Sequence, residues 1–170
     1  MRPALAPRAS PRYIEGMNRR TLLLAGCASV IARPASATSC GFEICLSRAE
    51  WRARLSRAEY RILREEKTEP AFSSPLDTET RRGVYHCRGC DLPLYDAATK
   101  YDSGTGWPSF FKSLPNAVGT KKDRKLVFQI RTEVHCRRCG GHLGHIFDDG
   151  PAPTGKRHCL NGLSLAFRPA

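Results

Sequence analysis

Apolar residues first fall into a helical rhythm at Trp51. Trp51 and Leu55, then Tyr60 and Leu63, recur three or four positions apart among charged neighbours, a spacing that lines one helix face with side chains suited to a core. A serine opens each run with a glutamate three places on, Ser47 with Glu50 and Ser56 with Glu59. This is the capping-box pattern that satisfies the first unpaired N–H groups of a helix. Two short helices are therefore expected over residues 47–66. Thr68 to Pro75 is rich in Pro and Ser and reads as loop.

From Gly83 the pattern shifts to strands. Val84-Tyr85-His86, Leu92-Pro93-Leu94-Tyr95, Lys125 to Val134 and Leu160 to Phe167 mix β-branched, aromatic and polar residues as half-buried strands do. Asp102 to Pro108 is a Gly-rich loop carrying Trp107, and Phe147 to Thr154 is a second turn-rich loop. The order predicts one mainly β domain over residues 47–170, an antiparallel sheet with short helices confined to its N-terminal side.

The segment ahead of that domain reads as an address. From Met17 it carries Arg19-Arg20, an apolar run from Leu22 to Ala32, and Ala35-Ser36-Ala37 as a cleavage site. This resembles a twin-arginine export signal over residues 17–37 and implies a periplasmic protein. Residues 1–16 read as an upstream extension, and residues 38–46 as a flexible segment with Cys40 and Cys45. Leu24-Ala25-Gly26-Cys27 also resembles a lipoprotein box that would leave Cys27 lipid-anchored, although only Thr21 to Gly26 then separates the arginines from the cysteine. A cytoplasmic chain with a basic tail is the other alternative. The apolar run is too short to span a bilayer, so no stable membrane insertion is expected.

The chain of 170 residues carries a formal charge of +12. Residues 1–37 hold six arginines against one glutamate, so cleavage leaves +7, and four thiolates on one zinc ion would bring this to about +5. Such a balance is weak support for a nucleic-acid partner, and none is expected.

Four of the eight cysteines form two C-x-x-C pairs, Cys87 with Cys90 and Cys136 with Cys139. Four soft thiolates favour tetrahedral zinc, and a filled coordination sphere leaves no open position, so one structural zinc is expected. A pair of disulfides, or a thioredoxin-type redox motif, is the alternative.

Cys159 is left over, in Arg157-His158-Cys159-Leu160-Asn161. Alternation along a strand would put Arg157, Cys159 and Asn161 on one face. An ordinary thiol is only about 3% ionised at pH 7, so a nearby cation that lowers its pKa would multiply the nucleophilic form. His142 and His145 lie three apart and suit proton transfer.

With S-G-T-G-W-P-S-F, H-L-G-H-I-F-D-D-G-P and R-H-C-L-N in that order, and K-T-E-P-A-F around Glu69 upstream, the chain resembles a type B methionine sulfoxide reductase. The resemblance implies two antiparallel sheets joined near a zinc site, a β-tent-like fold. It also implies reduction of methionine R-sulfoxide in proteins, with the free amino acid left open as a second substrate. Cys159 would attack the sulfoxide sulfur and emerge as a sulfenic acid. His142 and His145 would protonate the oxygen, Arg157 and Asn161 would support the site, and Trp107 and Phe147 would bind the substrate. A thioredoxin-like reductant would recycle the enzyme, and a monomer is expected. The chain departs from the family pattern at Thr105, where many members carry a resolving cysteine, at Asp148 in place of a common proline, and at Gly162 in place of a common serine, a change expected to loosen the strand after Cys159. Cys45 or Cys40 is then the candidate resolving thiol, unless the two are inert or pair with each other. The competing reading is a zinc-ribbon-like binding module, which leaves Cys159, Trp107 and the histidines without a task.

Overall fold

The computed structural model describes residues 40–170, apart from residues 127 and 128 and the side chains of 125–129. The expected export signal and the extension before it lie outside the described residues. Helices α1 (Arg48–Arg54) and α2 (Arg57–Glu65) begin where the serines place them. Ser47 N–H donates to Glu50 Oε2 at 2.7 Å while Glu50 N–H donates back to Ser47 Oγ at 3.3 Å, and Ser56 with Glu59 repeats the exchange. Leu55 leaves the helical region and ends α1, whereas Glu66, at φ 52°, ends α2. The buried faces carry Trp51 on α1 and Tyr60, Ile62 and Leu63 on α2.

Among the described residues nine strands follow: β1 (Gly83–Cys87), β2 (Pro93–Asp96), β3 (Lys100–Tyr101), β4 (Ser109–Phe110), β5 (Val118–Leu126), β6 (Gln129–Cys136), β7 (His142–Phe147), β8 (Arg157–Leu160) and β9 (Leu165–Pro169). They form two antiparallel sheets, one ordered β2-β1-β9 and the other β3-β4-β8-β7-β6-β5. The mainly β reading with two sheets is thus correct, with two corrections inside it. Lys125 to Val134 is not one strand: β5 ends at Leu126 and β6 begins at Gln129. Leu160 to Phe167 is likewise divided, by a 3₁₀ turn over Gly162–Ser164.

The sheets meet through aromatic rings. Tyr85 of β1 and Tyr95 of β2 pack on Phe110 of β4 with centroids 4.9 and 4.6 Å apart. All three are fully buried, and each such burial contributes roughly 2 to 3 kcal/mol before the entropy of ordering is subtracted.

His158 points into this core from β8, its Nδ1 3.0 Å from the Tyr95 hydroxyl. Burial, aided by Lys156, pushes its pKa down to about 4. The unfolded chain binds that proton near pH 6.5, so His158 contributes stability that is fully present above pH 6.5 and lost as the pH falls toward 4. Discounted for residual solvent, the loss is roughly 2 kcal/mol. Urea unfolding across this range should therefore show a shallower decline in a His158→Gln variant; identical slopes would exclude His158 as the source.

Candidate active site

Register, more than sequence proximity, surrounds Cys159. Ser109 of β4 stands opposite it on one side and His145 of β7 on the other. His145 is opposite Glu133 of β6, which is opposite Lys121 of β5. Directly opposed residues of antiparallel strands share a face, so one row of polar and ionisable groups crosses the larger sheet with the thiol within it.

The Cys159 sulfur lies 4.0 Å from Thr105 Oγ1. Ser103 Oγ links that hydroxyl to Ser109 Oγ, at 2.8 Å from each. Burial raises the Cys159 pKa, and the Thr105 hydroxyl, the Arg157 charge and the Ser109 hydroxyl offset only part of the increase. The expected net activation by Arg157 is thereby corrected: desolvation outweighs the cation, and the resting sulfur is a protonated thiol at neutral pH. Arg157 is also engaged elsewhere. It donates to both Asp149 carboxylate oxygens, at 2.9 and 2.7 Å, and its guanidinium carbon lies 4.5 Å from the Phe147 ring centre.

The two histidines occupy different depths. His145 Nε2 lies 2.8 Å from Asp123 Oδ2, and Arg131 donates to that same oxygen at 2.7 Å. Burial lowers the His145 pKa, the Asp123 bond opposes this, and the charges of Arg131 and His142 add to the fall. His145 is therefore a neutral imidazole at pH 7. His142, 2% exposed, sits behind it with Nδ1 3.1 Å from Glu133 Oε1 and its ring edge-on to His145 at 5.4 Å. It supports His145 and is not a wall of the cleft.

A cleft of about 130 Å³ opens over the thiol, walled by Cys159, His145, Trp107, Phe147 and Asn161 among the predicted residues. Asn161 follows the end of β8; its Oδ1 accepts the Glu69 N–H at 3.0 Å and its Nδ2 donates to the Leu143 carbonyl at 3.0 Å. Trp107 donates its indole N–H to the Glu69 carbonyl at 3.2 Å. Thr68, Arg131 and Gly144 also line the cleft, and sequence reasoning missed them, together with Asp123 and the position of Glu69. Gly144 lies in β7, a strand that the sequence pattern did not announce, and a Cβ there would collide with the Cys159 carbonyl oxygen. Gly162 belongs to the 3₁₀ turn, where a Cβ would meet Ser74 Oγ at 1.8 Å. It is a close-approach position and not the loosened strand residue expected.

Cys87, Cys90, Cys136 and Cys139 are buried, unpaired by disulfides, and have their sulfur atoms within 4.8 Å of one another. Tetrahedral coordination at 2.3 Å sets sulfur atoms about 3.8 Å apart. Cys87 and Cys139 are 3.7 Å apart, and Cys90 and Cys136 are 3.4 Å apart, so the cluster fits a metal ion.

Cys40 and Cys45 are joined to each other, with an S–S distance of 2.01 Å. Their segment rests on the second knuckle, where Ile44 N–H donates to the Arg138 carbonyl at 3.0 Å and Phe42 packs edge-on to His135. In this form neither offers Cys159 a thiol, in contrast to the resolving role expected of one of them.

Residues 55–169 match the SelR domain family. The chain is 48% identical over 123 residues to the chloroplastic peptide methionine sulfoxide reductase B1 of Oryza sativa subsp. japonica, covering 72% of this chain and 58% of that protein. It is 51% identical over 120 residues to the protein of the same name from Arabidopsis thaliana, covering 71% and 59%. With the peptide methionine sulfoxide reductase MsrB of Agrobacterium fabrum it shares 48% identity over 124 residues, covering 72% and 91%. The chain thus spans less than two thirds of the plant proteins and most of the bacterial one.

Proposed function

We propose, from the premise that this chain belongs to the SelR-domain family of type B peptide methionine sulfoxide reductases, that it reduces the R epimer of methionine sulfoxide in proteins. The observation that carries this reading is a thiol at the floor of a cleft whose walls are an indole, a phenyl ring and a neutral imidazole. An aromatic wall suits the methyl thioether, and the cleft is close in size to an apolar cavity of about 150 Å³ that holds benzene.

In the proposed reaction the Cys159 sulfur attacks the sulfoxide sulfur. The S–O bond of the substrate breaks, an S–O bond to Cys159 forms, and the methionine sulfur gains two electrons. Because the resting thiol keeps its proton, that proton is available to the sulfoxide oxygen. His145, oriented by Asp123 through Nε2, leaves Nδ1 as the nitrogen that passes it on. Asn161 and Trp107 hold the substrate, while Arg157 orders Phe147 and favours the thiolate as it develops.

Recycling needs two thiols to convert the sulfenic acid back to thiol and water. In the relay proposed here, reduced Cys45 or Cys40 attacks the sulfenic acid and releases water. The other cysteine then displaces Cys159 and closes the Cys40–Cys45 disulfide, which a thioredoxin-like dithiol reduces. The relay requires the Cα atom of Cys40 or Cys45 to come within about 7 Å of that of Cys159. Export through the twin-arginine signal would place this cycle in the periplasm, where such a disulfide persists. No helix among the described residues is long and apolar enough to cross a membrane. Zinc is the proposed occupant of the four-cysteine site, where it would supply cross-linking of the fold and no step of the reaction.

Separated R and S epimers of a methionine sulfoxide peptide, assayed with a dithiol reductant, test the reading. Turnover of the R epimer alone is expected. Equal turnover of both, or of neither, would overturn it.

A further inference from the structure

We infer that Glu69 is a positioning residue of this site, one that fixes the substrate-binding wall to the end of the nucleophile strand. The inference deepens the reductase reading and rests on it. Glu69 lies in an irregular loop yet is only 4% exposed, a costly place for a carboxylate. Among the described residues no cation forms an ion pair with it, and burial raises its pKa. Its carboxylate is instead bonded to main chain: Oε1 accepts the Gly162 N–H, and Oε2 accepts the Leu163 N–H at 3.0 Å.

These two N–H groups open the 3₁₀ turn Gly162–Ser164. The residue before the turn, Asn161, makes no side-chain cap bond to it, so Glu69 supplies the cap from a segment 93 residues away. Asn161 is thereby released for other use, and its Oδ1 takes the Glu69 main-chain N–H at 3.0 Å. The Glu69 carbonyl takes the Trp107 indole N–H at 3.2 Å. One residue therefore binds Trp107, Asn161 and the turn that follows Cys159 and Leu160, while its neighbour Thr68 lines the cleft.

The demand for a carboxylate is geometric. Two convergent N–H donors require two acceptor oxygens, and glutamine of the same shape offers one oxygen and an NH₂ that faces a donor. A residue needed only to fill space would function as well in the amide form.

Glu69→Gln and Glu69→Asp are the test, each compared with wild type for turnover of the R epimer, melting temperature, metal content, Cys159 alkylation rate and the emission component lost in Trp107→Phe. For Glu69→Gln, kcat/KM should fall roughly 10- to 100-fold, chiefly through KM, because small misplacements of positioning groups have effects of this size. The melting temperature should stay within about 5 °C of wild type, with metal content unchanged, the Trp107 emission shifted and Cys159 alkylation altered. Glu69→Asp, which keeps both oxygens on a shorter stem, should lie between the two. Unchanged kcat/KM, emission and alkylation in Glu69→Gln would overturn the inference, and so would activity that falls only in step with the folded fraction in both variants. Should wild type fail to turn over the R epimer, the reductase reading falls, while emission and alkylation still decide whether Glu69 holds Trp107 and the thiol in place.

Discussion

Cys159→Ser is expected to abolish the proposed sulfoxide reduction, by about 10⁴-fold or more, the scale expected when a covalent nucleophile is removed. A serine hydroxyl cannot accept the sulfoxide oxygen in a form that thiols reverse, so no slow cycle replaces the lost one. The fold should tolerate the change, because Cys159 is half-buried and already stands among the hydroxyls of Thr105, Ser103 and Ser109. Melting temperature and metal content should match wild type. The companion measurement is labelling with a sulfenic-acid reagent after one turnover, without reductant, of protein whose Cys40–Cys45 disulfide is intact, which should mark Cys159 in wild type and nothing in the variant. Peptide mapping of reduced wild type after the same turnover tests the relay: it should find the Cys40–Cys45 disulfide regenerated, or a link from Cys159 to one of them. Activity retained by the serine variant would remove Cys159 from the chemistry.

How far the sequence reaches depends on whether a feature is local. Ser47 and Ser56 announce helix starts because a capping box is complete within four residues. The strand from Gln129 was read through from Lys125 because Asp123 to Val134 contains no Gly, Pro or Asn to mark a turn. Cys159, Trp107 and the histidines stand out by residue type and motif, but their grouping is a product of register. Ser109 meets Cys159, and His145 meets Glu133, only once four separate strands pair. Asp123 and Arg131 were invisible for the same reason, since an Asp and an Arg in a charged hairpin read as solvated strand residues. The sign of the Cys159 pKa shift was misjudged because spacing reveals the cation and conceals the desolvation. Motif chemistry was therefore legible, whereas burial and cross-strand partners were not.

Removal of the zinc proposed for the four-cysteine site should unfold the domain, an effect on stability larger than that of any change at the cleft. Cys87 ends β1 in the smaller sheet, whereas Cys136 ends β6 in the larger one, so an ion held by all four sulfurs cross-links the two sheets at points far apart in the chain. Helix packing depends on the same place: a Cβ added at Gly89 would lie 3.4 Å from the Trp51 ring and 3.6 Å from Cys139 Sγ, and one added at Gly141 would lie 2.9 Å from Leu63 and 3.4 Å from Cys139 Sγ. Structural zinc supplies roughly 10 to 16 kcal/mol in small finger peptides, as much as the entire stability of a typical domain, about 5 to 15 kcal/mol. Stoichiometric mercurial titration should release one ion per chain together with loss of the β-sheet circular dichroism signal. Cys139→Ser should be recovered unfolded or metal-free, unlike the intact Cys159→Ser protein. A metal-free wild-type chain with native dichroism and an unchanged melting temperature would show instead that packing alone holds the knuckles. Two disulfides would give the same stability without metal, but they would require sulfur atoms near 2.05 Å. The separations of 3.4 and 3.7 Å between opposed pairs are too long for disulfides and suit four thiolates arranged around one ion.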